Sequence, residues 1–212
     1  MNLYFAPLAC SLATRISLYE AGAAAQYTCV DTHAHRLPDG TDYFSIAPMG
    51  QVPLLETDDG MLLAENSAVL QYVAERYPQA GLAPAAGPER ARLQQWLGFI
   101  GTELHKAIFV PLLDANAPAE VKAYARDKVG LRMNTLQAHL AGREYLLDRF
   151  SVADAYLTTI LNWAAHSGVD LKAWPAVQAY HQRQLKRPSV ARAVGEEYAL
   201  YKEEQARRAR AA

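Results

Sequence analysis

The sequence predicts a small α/β domain with a mixed four-stranded sheet, followed by an all-helical domain. Three observations lead to this prediction. Short strand-like and helical segments alternate over residues 1–78 and end in a hairpin and a helix, an order typical of a small α/β domain. Residues 79–88 are rich in proline, glycine and alanine, as linkers are. Over residues 89–212 the apolar residues recur at helical spacing.

Local signals place the elements of the first domain. Pro7 ends the first strand-like run. The turn Asp59-Gly60 between two apolar runs is the usual signal of a β-hairpin, and Asn66 or Ser67 can cap the helix that follows. We expect strands near residues 2–5, 26–31, 53–56 and 61–64, and helices near residues 11–22, 41–46 and 66–77.

The second domain is predicted to contain five helices. They lie near residues 89–113, 118–141, 152–166, 173–184 and 188–199. Breaks are expected at Pro111, Gly142, Gly168, Pro175 and Pro188. Ser151 followed by Asp154 is typical of a capping box, with Asp in place of the usual Glu, and Phe150 can act as a hydrophobic staple.

The composition is that of an ordinary globular protein. Of the 212 residues, 51% are hydrophobic and 20% are charged. No run approaches the roughly 18 apolar residues of a membrane span. The N-terminus also lacks the basic region and apolar stretch of a signal peptide. We therefore expect a cytoplasmic protein that does not associate with membranes.

The cysteines and histidines do not support a disulfide framework or a metal site. Cys10 and Cys29 are too few for a framework and do not form a C-x-x-C pair. Cys29 has strand-like spacing and is interpreted as structural. His33 and His35 lie close together, but two histidines without matched cysteines or carboxylates are weak evidence for a metal. No metal site is predicted.

Charge is unevenly distributed along the chain. Residues 1–78 contain three arginines and no lysine against nine acidic residues, a net charge of −6. Residues 79–212 contain 18 basic and 13 acidic residues, a net charge of +5. Opposite charges favour docking of the two segments, and a basic second domain could help to neutralise an anionic ligand. Nothing supports nucleic-acid binding, since the arginines at 207–210 are interpreted as a solvated, frayed tail.

The stretch from Val52 to Asn66 has features of a binding site for a peptide-like ligand. Pro53 cannot donate a ladder hydrogen bond, so it is expected at an edge or entry position of a strand. If Val52-Pro53 is cis, the N–H and C=O of Val52 face outward and can pair with a ligand backbone. The following helix N-terminus offers N–H groups and a positive dipole end to a carboxylate. The pattern favours a small, charged peptide, although the same features also occur as plain scaffolding.

Cys10 is the first candidate for a reactive residue. It lies at or just before the N-terminus of the first predicted helix, a position that favours the thiolate. Its neighbours Pro7, Ala9 and Ser11 are small or loop-forming. The alternative is a buried, inert cysteine, which is common for this residue type. We favour a functional Cys10.

Several motifs, in order along nearly the whole chain, carry a family resemblance. In the first domain they are Leu3-Tyr4-Phe5-Ala6-Pro7, Ala9-Cys10-Ser11-Leu12, Gly50-Gln51-Val52-Pro53-Leu54-Leu55, Asp59-Gly60, Glu65, Gln71-Tyr72 and Tyr77-Pro78. In the second they are Trp96-Leu97, Thr102-Glu103-Leu104-His105-Lys106 and Phe150-Ser151-Val152-Ala153-Asp154-Ala155-Tyr156. With these motifs the chain resembles the soluble glutathione transferases, and within them the bacterial beta class.

The resemblance implies a thioredoxin-like N-terminal domain and an all-helical C-terminal domain, usually in a homodimer with its two sites near the interface. It implies no cofactor other than glutathione itself, which acts as a co-substrate. The second substrate would be a small hydrophobic electrophile. Phe109, Leu112, Tyr156 and Trp163 are candidates for the electrophile pocket and are equally plausible as core residues.

The identity of the reactive group decides the chemistry. Many relatives use a Tyr or Ser hydroxyl near the first helix to stabilise the glutathione thiolate. Cys10 at that position points instead to mixed-disulfide chemistry with glutathione disulfide or a glutathionylated thiol. Tyr4 and Ser11 are the candidates if a hydroxyl is used. Both rank below Cys10, because Tyr4 fits strand packing and Ser11 fits a helix cap.

The resemblance also assigns ligand contacts in the first domain. Val52 would pair with the cysteinyl part of glutathione through its backbone. Glu65 and Asn66 would bind the γ-glutamyl end, Glu65 accepting from the ammonium and position 66 donating to the carboxylate. The alternatives are an exposed first-turn Glu and a plain helix cap.

Three residues of the helical domain match family positions at the site. Glu103 matches a residue that can reach across the dimer to the γ-glutamyl end. His105 and Lys106 match a pair lining the site, where Lys106 can meet the glycyl carboxylate and His105 can tune the sulfur. On its own, a helical His is more often packed or solvated.

Two positions depart from the class pattern. The class usually places a Lys after the second strand to hold the glycyl carboxylate, and His35 stands there in this chain. A His is largely neutral at pH 7, so this contact would weaken or pass to Arg36. Gly98 stands where some class members carry an Asn near the cysteine, which removes a possible donor.

The leading hypothesis is a beta-class-like glutathione transferase with Cys10 at the reactive position, active in conjugation, thiol exchange or peroxide reduction. The alternative is a GST-fold binding or interaction protein with little turnover, suggested by His35 and Gly98. A glutathione-dependent dehalogenase or isomerase is a third reading, because variable helical-domain side chains form the electrophile pocket.

Overall fold

A computed structural model of the chain describes residues 1–211. Packing divides these residues into two compact units. The first comprises residues 1–82 and the final helix, and the second comprises residues 83–187. The predicted division instead assigned all of 89–212 to the helical domain. The difference arises because the final helix packs on the first helix of the chain.

The first unit contains a mixed four-stranded sheet, as predicted. Its strands are β1 Asn2–Phe5, β2 Gln26–Cys29, β3 Leu54–Glu56 and β4 Leu62–Ala64. Their order in the sheet is β2-β1-β3-β4, with β1 parallel to β2 and antiparallel to β3, and β3 antiparallel to β4. Its α-helices are α1 Leu12–Glu20, α2 Asn66–Arg76 and α9 Pro188–Ala211, and one 3₁₀ turn, Tyr43–Ser45, lies between β2 and β3.

Alternation along the strands divides the core of the first unit into two clusters. One cluster contains Leu3, Phe5, Leu18, Leu55, Val69 and Val73, and therefore joins the sheet to α1 and α2. The other contains Tyr4, Val30, Tyr43, Ala47 and Leu54, and therefore packs the segment after β2 against the sheet. Both ends of the β1–α1 connection are thus fixed by buried apolar residues.

The second unit is all helical. Its elements are α3 Gly87–Phe99, a π-helical stretch Ile100–Phe109, α4 Val110–Leu113, α5 Ala119–Leu140, α6 Val152–Leu161, α7 Ala164–Ser167, a 3₁₀ turn Leu171–Ala173 and α8 Pro175–Leu185. The predicted capping box at the start of α6 is present. The Ser151 N–H and the Ser151 hydroxyl each donate to Oδ2 of Asp154, both over 2.9 Å.

Two helix ends differ from the sequence prediction. Pro111 does not break the chain of helical turns, which continue from the π-helical stretch into α4 with Pro111 in the first turn of α4. The wide turns of the π-helical stretch come immediately before it. α9 continues to Ala211 instead of ending near residue 199, and an i,i+4 pair of Glu204 and Arg208 supports its last turns. The arginines at 207–210 are therefore helical and not a frayed tail.

Within residues 1–211, no helix combines the length and the apolar character needed to span a bilayer.

Candidate functional site

Cys10 lies in the short connection between β1 and α1. It is half-buried and immediately precedes Ser11, the residue before the first turn of α1. The buried Ser11 hydroxyl bonds back to the main chain of Ala6, accepting from its N–H and donating to its C=O over 3.3 Å each. Ser11 therefore closes the loop that carries Cys10 and does not cap the helix through its side chain. Neither cysteine of the described chain forms a disulfide.

The structure brings Cys10, Val52 and Asn66 together. The Cys10 Sγ donates to the carbonyl oxygen of Val52 over 3.1 Å. The Nδ2 of Asn66 donates to the carbonyl oxygen of Cys10 over 3.0 Å. The Val52-Pro53 peptide bond is cis. Three segments that are distant in the sequence thus meet at Cys10, Val52 through the thiol and Asn66 through the backbone carbonyl.

Glu65 and Asn66 lie at the start of α2, where neither Asn66 nor Ser67 is the capping residue that the sequence pattern predicts. Asn66 is the first helical residue, and the capping position before it is Glu65, which has a φ of 66° and makes no side-chain cap. Asn66 is 6% exposed, and its amide nitrogen is committed to Cys10. Its Oδ1 is buried and has no hydrogen-bond partner among residues 1–211. Glu65 is exposed, so its carboxylate is accessible to solvent.

His35 is held in a strained loop position after β2. Its φ is 51°, in the left-handed region that residues with a Cβ rarely occupy. Its ring stacks on Phe44 with centroids 4.3 Å apart, and its Nδ1 is buried with no hydrogen-bond partner in the described part of the chain. A Cβ on Gly50 would lie 2.7 Å from this Nδ1. Gly50 therefore leaves the space that the imidazole occupies.

His105 is buried in the second unit, where it lies on the π-helical stretch. Its Nδ1 is 2.7 Å from the hydroxyl of Tyr156, and its ring packs edge-on against Trp163, with centroids 5.1 Å apart. Burial, and then the charge of Lys106, lower the pKa of His105 to about 4. The imidazole is therefore neutral near pH 7 and acts through hydrogen bonding, without a charge of its own.

Lys106 and Glu103 lie on the same stretch. Lys106 is exposed. Oε2 of Glu103 accepts from Nε and Nη2 of Arg132 on α5, over 3.0 and 2.8 Å. No local sequence pattern points to Arg132, because 29 residues and a helix connection separate it from Glu103.

Most of the remaining candidate residues pack or bond within the protein. The Tyr4 hydroxyl donates to Glu56 over 3.2 Å within the sheet, and burial raises the pKa of Tyr4. Phe109, Leu112 and Tyr156 are buried and Trp163 is half-buried. A Cβ on the exposed Gly98 would meet nothing within 4 Å. No group of three His, Cys, Asp or Glu residues within residues 1–211 is arranged to hold a metal ion.

Comparison with known proteins identifies the family of the chain. Residues 1–75 match the model of the glutathione S-transferase N-terminal domain, and residues 100–188 match the model of the C-terminal domain. The glutathione S-transferase GstA of Escherichia coli O157:H7 is 39% identical over 199 residues, 93% of this chain and 98% of that protein.

Two solved structures are similarly close. A sphingomonad glutathione S-transferase complexed with glutathione is 42% identical, with a TM-score of 0.88 over 93% of this chain and 98% of that one. The bacterial beta-class glutathione S-transferase of Sphingomonas chungbukensis has the same identity, coverage and TM-score. With both domains matched in order and a curated relative aligned over nearly its full length, the chain belongs to the glutathione S-transferase family and is similar to its bacterial beta class.

Proposed function

We propose that this protein is a glutathione transferase in which Cys10 is the reactive residue. The observation that carries the proposal is the position of the Cys10 Sγ, which lies just before α1 and 3.1 Å from the carbonyl oxygen of Val52. The start of a helix stabilises a thiolate, and the Val52 backbone is a suitable partner for a peptide-like ligand.

Glutathione would bind along the surface that Val52, Glu65 and Asn66 form around Cys10. The first N–H groups of α2 have no intrahelical acceptors and suit the α-carboxylate of the γ-glutamyl end. The exposed carboxylate of Glu65 suits the ammonium of that end. His35 stands at the family position that meets the glycyl carboxylate, and an N–H of its imidazole would be the donor there.

Cys10 would react with glutathione disulfide by thiol–disulfide exchange. Its thiolate attacks one sulfur of the disulfide, a Cys10–glutathione disulfide forms, and the other glutathione leaves as a thiolate that takes up a proton. The number of disulfides is conserved, so no further oxidant is needed. The Cys10 thiol, which donates to the Val52 carbonyl oxygen, must first lose its proton. A hydrogen-bond donor of the ligand would then pair with that carbonyl oxygen instead.

Roles for three residues of the π-helical stretch follow from their match to family positions. Lys106 is an exposed cation that can meet a ligand carboxylate. His105, kept neutral by burial, would supply a hydrogen-bonding group whose orientation the Tyr156 hydroxyl fixes. Glu103, oriented by Arg132, would address the γ-glutamyl end in a homodimer.

Two assays together test the proposal: retention on immobilised glutathione, and turnover with a generic hydrophobic electrophile, a glutathione disulfide and a hydroperoxide. We expect retention and turnover in at least one reaction, with turnover strongly reduced in Cys10→Ala. A Cys29→Ala variant is the control and should keep both properties. Retention without any turnover would favour the alternative of a GST-fold binding protein, and absence of both would contradict the proposal.

A further inference from the structure

The loop that carries Cys10 contains one residue in an unfavourable backbone conformation. Leu8 has a φ of 58°, although it carries a side chain. This left-handed conformation is costly for any residue with a Cβ, so it persists only where other contacts hold it. The N–H of Leu8 donates to Oε2 of Glu197 on α9 over 2.7 Å. This distance is at the short end of the range for N–H···O hydrogen bonds.

Glu197 is fully buried and has one cationic neighbour among the described ion pairs. Its Oε1 lies 3.1 Å from Nε of Arg15 on α1, whose side chain is only 4% exposed. Burial raises the pKa of Glu197 to about 8, and Arg15 and the Leu8 N–H oppose that rise. The Oε1 and the Arg15 Nε are close enough for an ion pair but make no hydrogen bond in the described part of the chain. The hydrogen bond that Glu197 makes to the Cys10 loop is therefore the one from the Leu8 N–H to Oε2.

Arg15 is itself fixed by the sheet. Its guanidinium lies over the ring of Phe5 on β1 and the ring of Tyr27 on β2, at 4.2 and 4.3 Å from their centroids. Such cation–π contacts hold the planar guanidinium between two rings. The contacts thus run from β1 and β2 through Arg15 and Glu197 to the backbone of Leu8, two residues before Cys10.

The neighbouring Glu196 also contacts Arg15 but differs from Glu197 in its other partners. Glu196 also bonds Arg15, over 3.2 Å, but its other partners are Tyr19 and Arg192. It is partly exposed, with 41% of its side chain accessible. Of these two acids on the same helix, Glu197 is the one that contacts the Cys10 loop.

We propose that Glu197 is a positioning residue for Cys10, which holds Leu8 in its left-handed conformation and thereby sets the place of the thiol before α1. The proposal rests on the reactive role assigned to Cys10 above. α9 therefore has a second role besides packing on α1. Its buried Glu197 side chain holds the loop that sets the position of the Cys10 thiol.

The test compares Glu197→Ala with Glu197→Gln, both in a Cys29→Ala background so that Cys10 is the one thiol. Each variant removes the ion pair with Arg15, but Gln keeps an oxygen that can accept from the Leu8 N–H. The readouts are the rate of Cys10 alkylation by iodoacetamide as a function of pH, and the melting temperature. We expect both variants to melt at lower temperature. Only Glu197→Ala should react roughly tenfold more slowly near neutral pH, the equivalent of one hydrogen bond.

Two further variants guard against a purely structural explanation. Glu196→Gln weakens the contacts of Arg15 without touching the loop, and should leave the alkylation profile unchanged. Leu8→Gly in the Glu197→Ala chain should restore most of the rate, because glycine adopts a positive φ without penalty. If Glu197→Ala alone folds poorly, the alkylation rate and melting temperature of Glu197→Gln and of Leu8→Gly are compared directly with those of the Cys29→Ala parent.

The outcomes separate the two proposals. Equal alkylation profiles for Glu197→Ala and Glu197→Gln, or no restoration by Leu8→Gly, would overturn the positioning role. A parent protein whose Cys10 reacts no faster than an unperturbed thiol would instead overturn the reactive role of Cys10 itself.

Discussion

The side-chain amide of Asn66 donates to the backbone carbonyl oxygen of Cys10 over 3.0 Å. This bond joins the first turn of α2 to the loop before α1, so Asn66 positions the cysteine backbone while its own N–H lies at the helix start. Asn66 therefore supports the proposed site through a bond within the protein, in addition to the ligand contact proposed for it.

Replacing Asn66 by Ala removes this donor from a buried position. We expect a loss of about 1–2 kcal/mol in the free energy of unfolding and a several-fold rise in KM for glutathione. Urea unfolding and steady-state kinetics measure the two effects. Gln71→Ala is the matched control, because Gln71 makes the same amide-to-carbonyl bond, to Ser67 of its own helix. If both variants raise KM equally, the bond to Cys10 has no special role.

Gly50 is predicted to be required for glutathione affinity through His35. A methyl group there would lie 2.7 Å from the His35 Nδ1 and from the ring of Phe44, and the φ of 61° is also unfavourable for Ala. We expect Gly50→Ala to raise the Kd for glutathione at least about fivefold, as measured by calorimetry. Gly60→Ala is the control, since Gly60 has a φ of 82° but nothing within 4 Å of the added Cβ. An equal effect in the two variants would show that backbone strain alone is responsible.

Two histidines of the second unit, the buried His105 and the half-buried His181, predict acid sensitivity. Burial lowers the pKa of His105 and of His181 to about 4, below the 6.5 of an unperturbed His. As the pH falls below 6.5 the unfolded chain takes up protons that the folded chain does not, so the free energy of unfolding decreases toward pH 4.

Between pH 7 and pH 5 the free energy of unfolding should decrease in the parent. In His181→Gln this decrease should be smaller by roughly 1–2 kcal/mol. Gln can keep a bond to Asn162, whose Oδ1 lies 2.8 Å from the His181 Nε2. Denaturant unfolding at the two pH values measures the effect. His166→Gln, at an exposed position, should leave the pH dependence unchanged. A His181→Gln chain with the parent's full acid loss would refute the prediction.

Asp154 is predicted to be a major determinant of stability. It accepts from the N–H of Leu146, the N–H and hydroxyl of Ser151 and the hydroxyl of Tyr180, all over 2.9 Å. Asp154→Ala leaves these buried donors without an acceptor, and should cost about 3–5 kcal/mol in urea unfolding. The control Asp170→Ala removes an exposed cap on the N–H of Lys172 and should cost far less. Similar losses would show that the buried network is not the cause.

The sequence predicted the fold best where local patterns decide it. The four strands, the hairpin at Asp59-Gly60 and the capping box at Ser151 all follow from spacing over a few residues. The break expected at Pro111 is absent because the chain passes through Pro111 directly after a π-helical stretch, and π-helical turns have no clear local signal. The full length of α9 was missed because its exposed last turns carry little apolar periodicity.

The site was predictable only in part, for a physical reason. Cys10 and the Val52 stretch could be recognised from local motifs, and the structure places them in hydrogen-bond contact. The partners that orient the candidates come from distant segments, such as Arg132 for Glu103 and Glu197 for the Leu8 backbone. Such tertiary partners leave no periodicity in the sequence, so they emerge only when the chain is folded.

The central claim is that Cys10 is the thiol that reacts with glutathione sulfur. Intact-mass spectrometry of the protein after exposure to glutathione disulfide tests it most directly, with the Cys10→Ala and Cys29→Ala variants measured beside the parent. We predict a single glutathione adduct on the parent and on Cys29→Ala, and none on Cys10→Ala. An undiminished adduct on Cys10→Ala would contradict the claim.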